Sequence, residues 1–154
     1  MVAANTSWRA RAVERGWRVA LSAIATIAML APAQAGEMAP PYPANSVLLL
    51  VAPWCAPCHG ELARLGEIAA AARPRRVRVF MVEDGARARA MWARVPEGYR
   101  WTPPDGEARR FRADALGRAV GLPFSMATDA RGRICAARGG GMDAARVAAL
   151  VAAC

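Results

Sequence analysis

The apolar stretch Val47-Leu-Leu-Leu-Val-Ala52 carries no polar position, so it predicts a strand covered on both faces of a sheet. Pro53 ends it. From Cys55 to about Ala72 the period changes: Leu62, Leu65, Ile68 and Ala69 recur three to four apart, predicting a helix that Pro74 stops. Val77-Arg-Val-Phe-Met-Val82 predicts a second buried strand, and Glu83-Asp84-Gly85 a turn. A short helix is expected over Ala86–Val95, a loop with three Pro and two Gly over 96–107, and a helix over Ala108–Val120. Phe124-Ser-Met-Ala-Thr128 and Ile134-Cys-Ala-Ala137 read as two strands joined by Asp129-Ala-Arg-Gly132, a hairpin turn with Gly where positive φ is needed. After Gly139-Gly-Gly141, Asp143 caps a final Ala-rich helix that ends at Cys154. Strands separated by helices run parallel, and the hairpin adds antiparallel strands. The fold class is therefore α/β, a four-stranded mixed sheet with helices on both faces.

Ahead of this pattern lies a different one. Arg9, Arg11, Arg15 and Arg18 form a basic region, Val19–Ala31 an uncharged apolar run, and Ala33-Gln34-Ala35 a small-x-small site after Pro32. The apolar run falls short of the ~20 residues that span a bilayer. Residues 1–35 thus read as a cleavable secretory signal and 36–154 as the domain; a retained N-terminal membrane anchor is the alternative. Residues 36–45 are Pro-rich and expected to be extended.

A chain of 154 residues is one domain's worth. The net charge of +9 raises a nucleic-acid or membrane-surface reading. The sequence has no Lys, so all 21 basic residues are Arg, and they are scattered apart from clusters at Arg73–Arg78 and Arg109–Arg112. Arg as the default surface cation accounts for this, and no nucleic-acid partner is expected. Past residue 35 the charge falls to about +6, seventeen Arg against eleven acids. Export would also let disulfides persist, and all four Cys lie past residue 35.

Cys55-Ala-Pro-Cys58 opens a helix directly after a buried strand, and that placement carries chemistry. Free N–H groups and the positive end of the helix dipole favour a thiolate, lowering a thiol pKa from ~8.5 to roughly 3.5–7.5. Cys55 is the expected nucleophile, and Cys58, one turn deeper, the resolving thiol. Pro57 costs nothing at the first turn, where no donor is needed. A half zinc site would need a second close ligand pair, but Cys135 and Cys154 are 19 positions apart and His59 is the only His. No metal and no cofactor beyond the Cys55–Cys58 disulfide are expected.

Trp54-Cys55-Ala56-Pro57-Cys58-His59-Gly60-Glu61 resembles the W-C-x-P-C-x-x-E pattern of exported TlpA/ResA-type thiol–disulfide oxidoreductases, within the thioredoxin superfamily. Val120-Gly-Leu-Pro-Phe-Ser-Met-Ala-Thr-Asp-Ala-Arg-Gly-Arg-Ile134 looks like the V-x-G-x-P…D-x-x-G-x-I segment of the same group. The resemblance spans most of residues 46–141. It implies a thioredoxin-like three-layer sandwich and a cis Leu122–Pro123 bond beside Cys55. It also implies substrate contact through Trp54, Pro57, Leu122 and Pro123. In the family the Glu matching Glu61 helps manage the buried thiol's proton; a surface Glu paired with Arg64 is the plainer reading. Leu49 stands where thioredoxin keeps a buried Asp, which favours the Glu-using subgroup. The segment ahead of the first strand is short for the hairpin that TlpA-type proteins place there, and Phe124-Ser125 replaces the usual Thr.

The function implied is reduction of disulfides in exported proteins such as apo-cytochrome c, with a membrane-bound thiol donor and a monomeric, periplasmic protein. A periplasmic copper-binding protein or metallochaperone, using Cys55, Cys58, His59 and a Met as soft ligands, is the alternative. Cys135 on the last strand and Cys154 at the tail of the last helix are expected to form a structural disulfide; free thiols or an accessory redox pair are the other possibilities.

Overall fold

A computed structural model describes residues 41–154; the signal expected at 1–35 and most of the Pro-rich stretch lie outside them. Four strands, β1 (Ser46–Val51), β2 (Arg76–Met81), β3 (Phe124–Thr128) and β4 (Ile134–Gly139), form one sheet in the order β2-β1-β3-β4. β1 runs parallel to β2 and antiparallel to β3, and β3 runs antiparallel to β4. All six residues of β1 are buried, as its unbroken apolar sequence requires of a central strand. Exposed β4 closes one edge. At the other, Trp101 N–H donates to Val79 O, so the loop after the second crossover helix covers β2.

Five helices complete the layers: α1 (Ala56–Ala63), α2 (Leu65–Ala71), α3 (Ala86–Arg94), α4 (Ala108–Arg118) and α5 (Ala144–Ala152). α2 and α5 pack together and bury Leu65, Ile68, Val147 and Leu150. On the other face Phe111 of α4 meets Trp101 edge-on at 5.1 Å, and Trp101 meets Phe80 at the same distance. This is a thioredoxin-like three-layer sandwich.

Residues 41–45 are more than an extended lead-in. Tyr42 is buried against Phe111 and Trp101, its hydroxyl donates to Asp114 at 2.7 Å, and its N–H donates to Gly132 O. Gly132 has φ +74°, and a Cβ there would run into the Tyr42 carbonyl, so the hairpin turn needs Gly for two reasons. The Asp129 carboxylate closes that turn by accepting from the Arg131 and Arg133 N–H groups.

The single helix expected from Cys55 to Ala72 is two. At Arg64 the backbone leaves helical geometry (φ −112°, ψ 19°), and its N–H bonds Glu61 O rather than Gly60 O. The freed Gly60 carbonyl accepts from the Arg64 guanidinium instead, at 3.4 Å. The loop expected over 96–107 also holds a 3₁₀ turn, Glu97–Tyr99.

Candidate active site

β1 ends at Val51, and Val82 N–H bonds Val51 O, so β1 and β2 deliver Trp54 and Glu83 to the same end of the sheet. There the Trp54 indole N–H donates to the Glu83 carboxylate while 64% of the residue stays exposed. The turn into α1 is set by Cys55 N–H to Ala52 O at 3.1 Å. Cys55 itself is the N-cap of α1, in extended conformation, and Pro57 lies in the first turn. Its sulfur accepts from the Cys58 N–H at 3.2 Å, the bond a capping oxygen would normally make. A thiolate in this place keeps that donor and gains the helix dipole.

Cys55 and Cys58 are joined as a disulfide, Cα atoms 5.3 Å apart. In this oxidised form Cys58 is fully buried and Cys55 is 2% exposed, with Trp54, Ala56 and Pro57 exposed beside it. Sequence reasoning placed Cys55 at the start of the helix and was silent on its depth. His59 does not point at the sulfurs through its Nε2, which lies 3.1 Å from Pro53 O.

The β1–β3 register sets Phe124 opposite Leu50, so Pro123 falls beside the end of β1 from which the Cys55 turn departs. The Leu122–Pro123 bond is cis. Gly140 N–H takes the Pro123 carbonyl, whereas the Leu122 N–H and C=O have no partner among the described residues. Val120, just before them, is 96% exposed. Further along β3, Ser125 pairs with Leu49, and its hydroxyl is buried without a partner.

Glu61 follows Cys58 by three positions on α1 and is fully buried. It is not the surface partner of Arg64. Oε1 accepts the Met142 N–H at 2.5 Å, and Oε2 has no partner. Burial pushes this carboxyl up to about 7, against the opposing pull of the Met142 N–H and the Arg64 charge. Trp54, Cys55, Pro57, Cys58 and Glu61 thus lie at and within the start of α1, and the β1–β3 register puts Leu122 and Pro123 at the same end of the sheet. Sequence reasoning missed Met142 and Glu83 and had Arg64 only as a surface partner of Glu61; the Gly139-Gly-Gly141 break was the one local sign that the chain turns sharply near Met142.

The fourth strand and last helix hold the other cystine. Cys135 and Cys154 are joined, Cα atoms 5.1 Å apart, and both are exposed. Among the described residues no group of three or more His, Cys, Asp or Glu gathers at metal-binding distance, and no helix is long and apolar enough to cross a membrane.

No family model and no curated protein matches the chain. Solved structures similar to it include MTB DsbF, in mixed oxidised and reduced forms (24% identity, 70% of this chain, 78% of that one, TM-score 0.47). StoA from Bacillus subtilis is similar at 18% identity, 72% of this chain, 84% of that one and TM-score 0.47. A secreted Mycobacterium tuberculosis disulfide oxidoreductase homologous to E. coli DsbE is similar at 22% identity, 71% of this chain, 81% of that one and TM-score 0.46.

Proposed function

We propose that this chain is an exported thiol–disulfide oxidoreductase that reduces disulfides in other exported proteins, oxidised apo-cytochrome c being one substrate of suitable chemistry. The observation that carries the reading is the Cys55 sulfur standing as the N-cap of α1, with the Cys58 N–H directed at it. That geometry stabilises an attacking and a leaving thiolate alike.

In the reduced protein the Cys55 thiolate attacks one sulfur of a substrate disulfide, and the other substrate sulfur leaves as a thiolate. Cys58 then gives up its proton to Glu61 and attacks the Cys55 sulfur. The substrate's second thiolate leaves, and the Cys55–Cys58 disulfide forms. Two electrons have passed from the site to the substrate; a dithiol donor, membrane-bound in this reading, returns the site to the reduced form. Glu61 suits the proton step because a carboxyl poised near 7 can accept and release a proton at neutral pH. The unpartnered Leu122 backbone groups suit an extended substrate segment lying across Cys55, with Trp54, Pro57 and Pro123 around it. The protein acts as a monomer, without metal or other cofactor and without nucleic acid.

The reduction potential of Cys55/Cys58 tests the direction. A value near ~ −270 mV or lower supports the reductase, and one near ~ −120 mV makes the protein an oxidant. Nothing in the site geometry favours the copper-binding alternative, since the His59 Nε2 is placed against Pro53 O.

A further inference from the structure

Glu61 and Arg64 hold the backbone of one residue, Met142, through the two peptide groups on either side of its Cα. Glu61 Oε1 accepts the Met142 N–H at 2.5 Å, and the Arg64 guanidinium donates to the Met142 carbonyl at 3.3 Å. These contacts cross 81 and 78 positions of sequence. Met142 is fully buried, and the next residue, Asp143, caps α5 by accepting the Arg146 N–H. The same guanidinium bonds Gly60 O at the break between α1 and α2, so Arg64 ties that break to the start of α5. One carboxylate oxygen of Glu61 is thereby fixed, and the other stays buried and unpartnered.

Building on the reading of Glu61 as acceptor of the Cys58 proton, we infer that Arg64 is a positioning residue: by holding the Met142 carbonyl it keeps the Met142 N–H on Glu61 Oε1 and leaves Oε2 for Cys58. The groups facing Glu61 are few. Arg64 comes from its own segment, where Cys58 stands three positions before Glu61, and the Met142 N–H comes from the entry to α5. Asp143 is engaged with Arg146 at the helix start, and β1 and β3 carry no titratable side chain. The Arg64 charge and the Met142 N–H both favour the carboxylate, so removing Arg64 raises the affinity of Glu61 for its proton.

The test mixes the full chain, reduced at Cys55–Cys58 with Cys135–Cys154 left oxidised, with an aromatic disulfide whose released thiolate is coloured. Attack by Cys55 liberates the first equivalent. Attack by Cys58 on the mixed disulfide liberates the second, whose rate reports the Cys58 step. That rate is expected to rise with pH through the titration of Glu61. Arg64→Met should move this limb to higher pH by at least ~0.5 unit, and Arg64→Lys, which can still donate to the Met142 carbonyl, should move it less. If Glu61→Gln leaves the limb in place, the reading of Glu61 fails, and that of Arg64 with it. If Glu61→Gln abolishes the limb while neither Arg64 variant moves it, only the Arg64 inference is overturned.

Discussion

The two cystines hold their Cα atoms at nearly equal separations, 5.3 Å for Cys55–Cys58 and 5.1 Å for Cys135–Cys154, in opposite surroundings. Cys55 stands at the N-terminus of α1, where the helix dipole and the Cys58 N–H donated to its sulfur favour a thiolate. Cys154 follows the C-terminus of α5, where the dipole is negative and a thiolate is disfavoured. Cys55 and Cys58 are buried three positions apart, so their bond constrains the unfolded chain little. Cys135 and Cys154 are exposed and 19 positions apart, so theirs closes a long loop. Under the proposed function the same bond serves reactivity in one place and stability in the other, and the helix ends decide which.

That contrast can be broken most decisively at Cys55. Cys55→Ser should abolish disulfide reduction, a loss on the order of 10³-fold or more in an insulin-reduction assay. The double change Cys135→Ser with Cys154→Ser should keep turnover within about two-fold. Comparable losses in the two variants would erase the distinction.

A smaller effect sits on the buried carboxyl between Cys58 and α5. An acid whose pKa is raised in the folded protein binds more protons there than when unfolded. Its burial is therefore fully tolerated below the ordinary pKa of 4.5, and stability falls as pH rises from there through about 7. The loss is on the order of 3 kcal/mol, and Glu61→Gln should flatten it. Denaturant melts across this pH range check the sign; a wild-type protein that gained stability toward pH 8 through Glu61 would contradict the assignment.

Comparable in size, and independent of pH, is the staple. Removing Cys135–Cys154 by paired Ser substitution should cost about 3 kcal/mol by the loop-closure relation, read from the denaturation midpoint, with the Cys55–Cys58 potential unmoved. Smallest is the cap at the other end of α5: Asp143→Ala should cost about 1 kcal/mol, because its carboxylate accepts the Arg146 N–H at 2.8 Å.

Local pattern carried the fold far. The apolar run of β1, the Gly-closed hairpin before β4, the Asp143 cap and the placement of Cys-x-x-Cys at a helix start are all short-range physics. What sequence could not show is what distant segments do to one another. The helix breaks at Arg64 where its guanidinium reaches a carbonyl 78 positions away. Glu61 is buried because the entry to α5 closes over it, and Trp54 is held by Glu83, which had read as part of a turn. The depth of Cys55 was equally hidden, since burial at a helix start depends on the neighbouring loops.

The central claim concerns one sulfur, and titrating it is the most direct trial. In reduced protein carrying Cys58→Ser, with Cys135–Cys154 left oxidised, thiolate absorbance followed against pH reports Cys55 alone. The account predicts a midpoint below ~7.5; a midpoint near the ~8.5 of an ordinary thiol would contradict it.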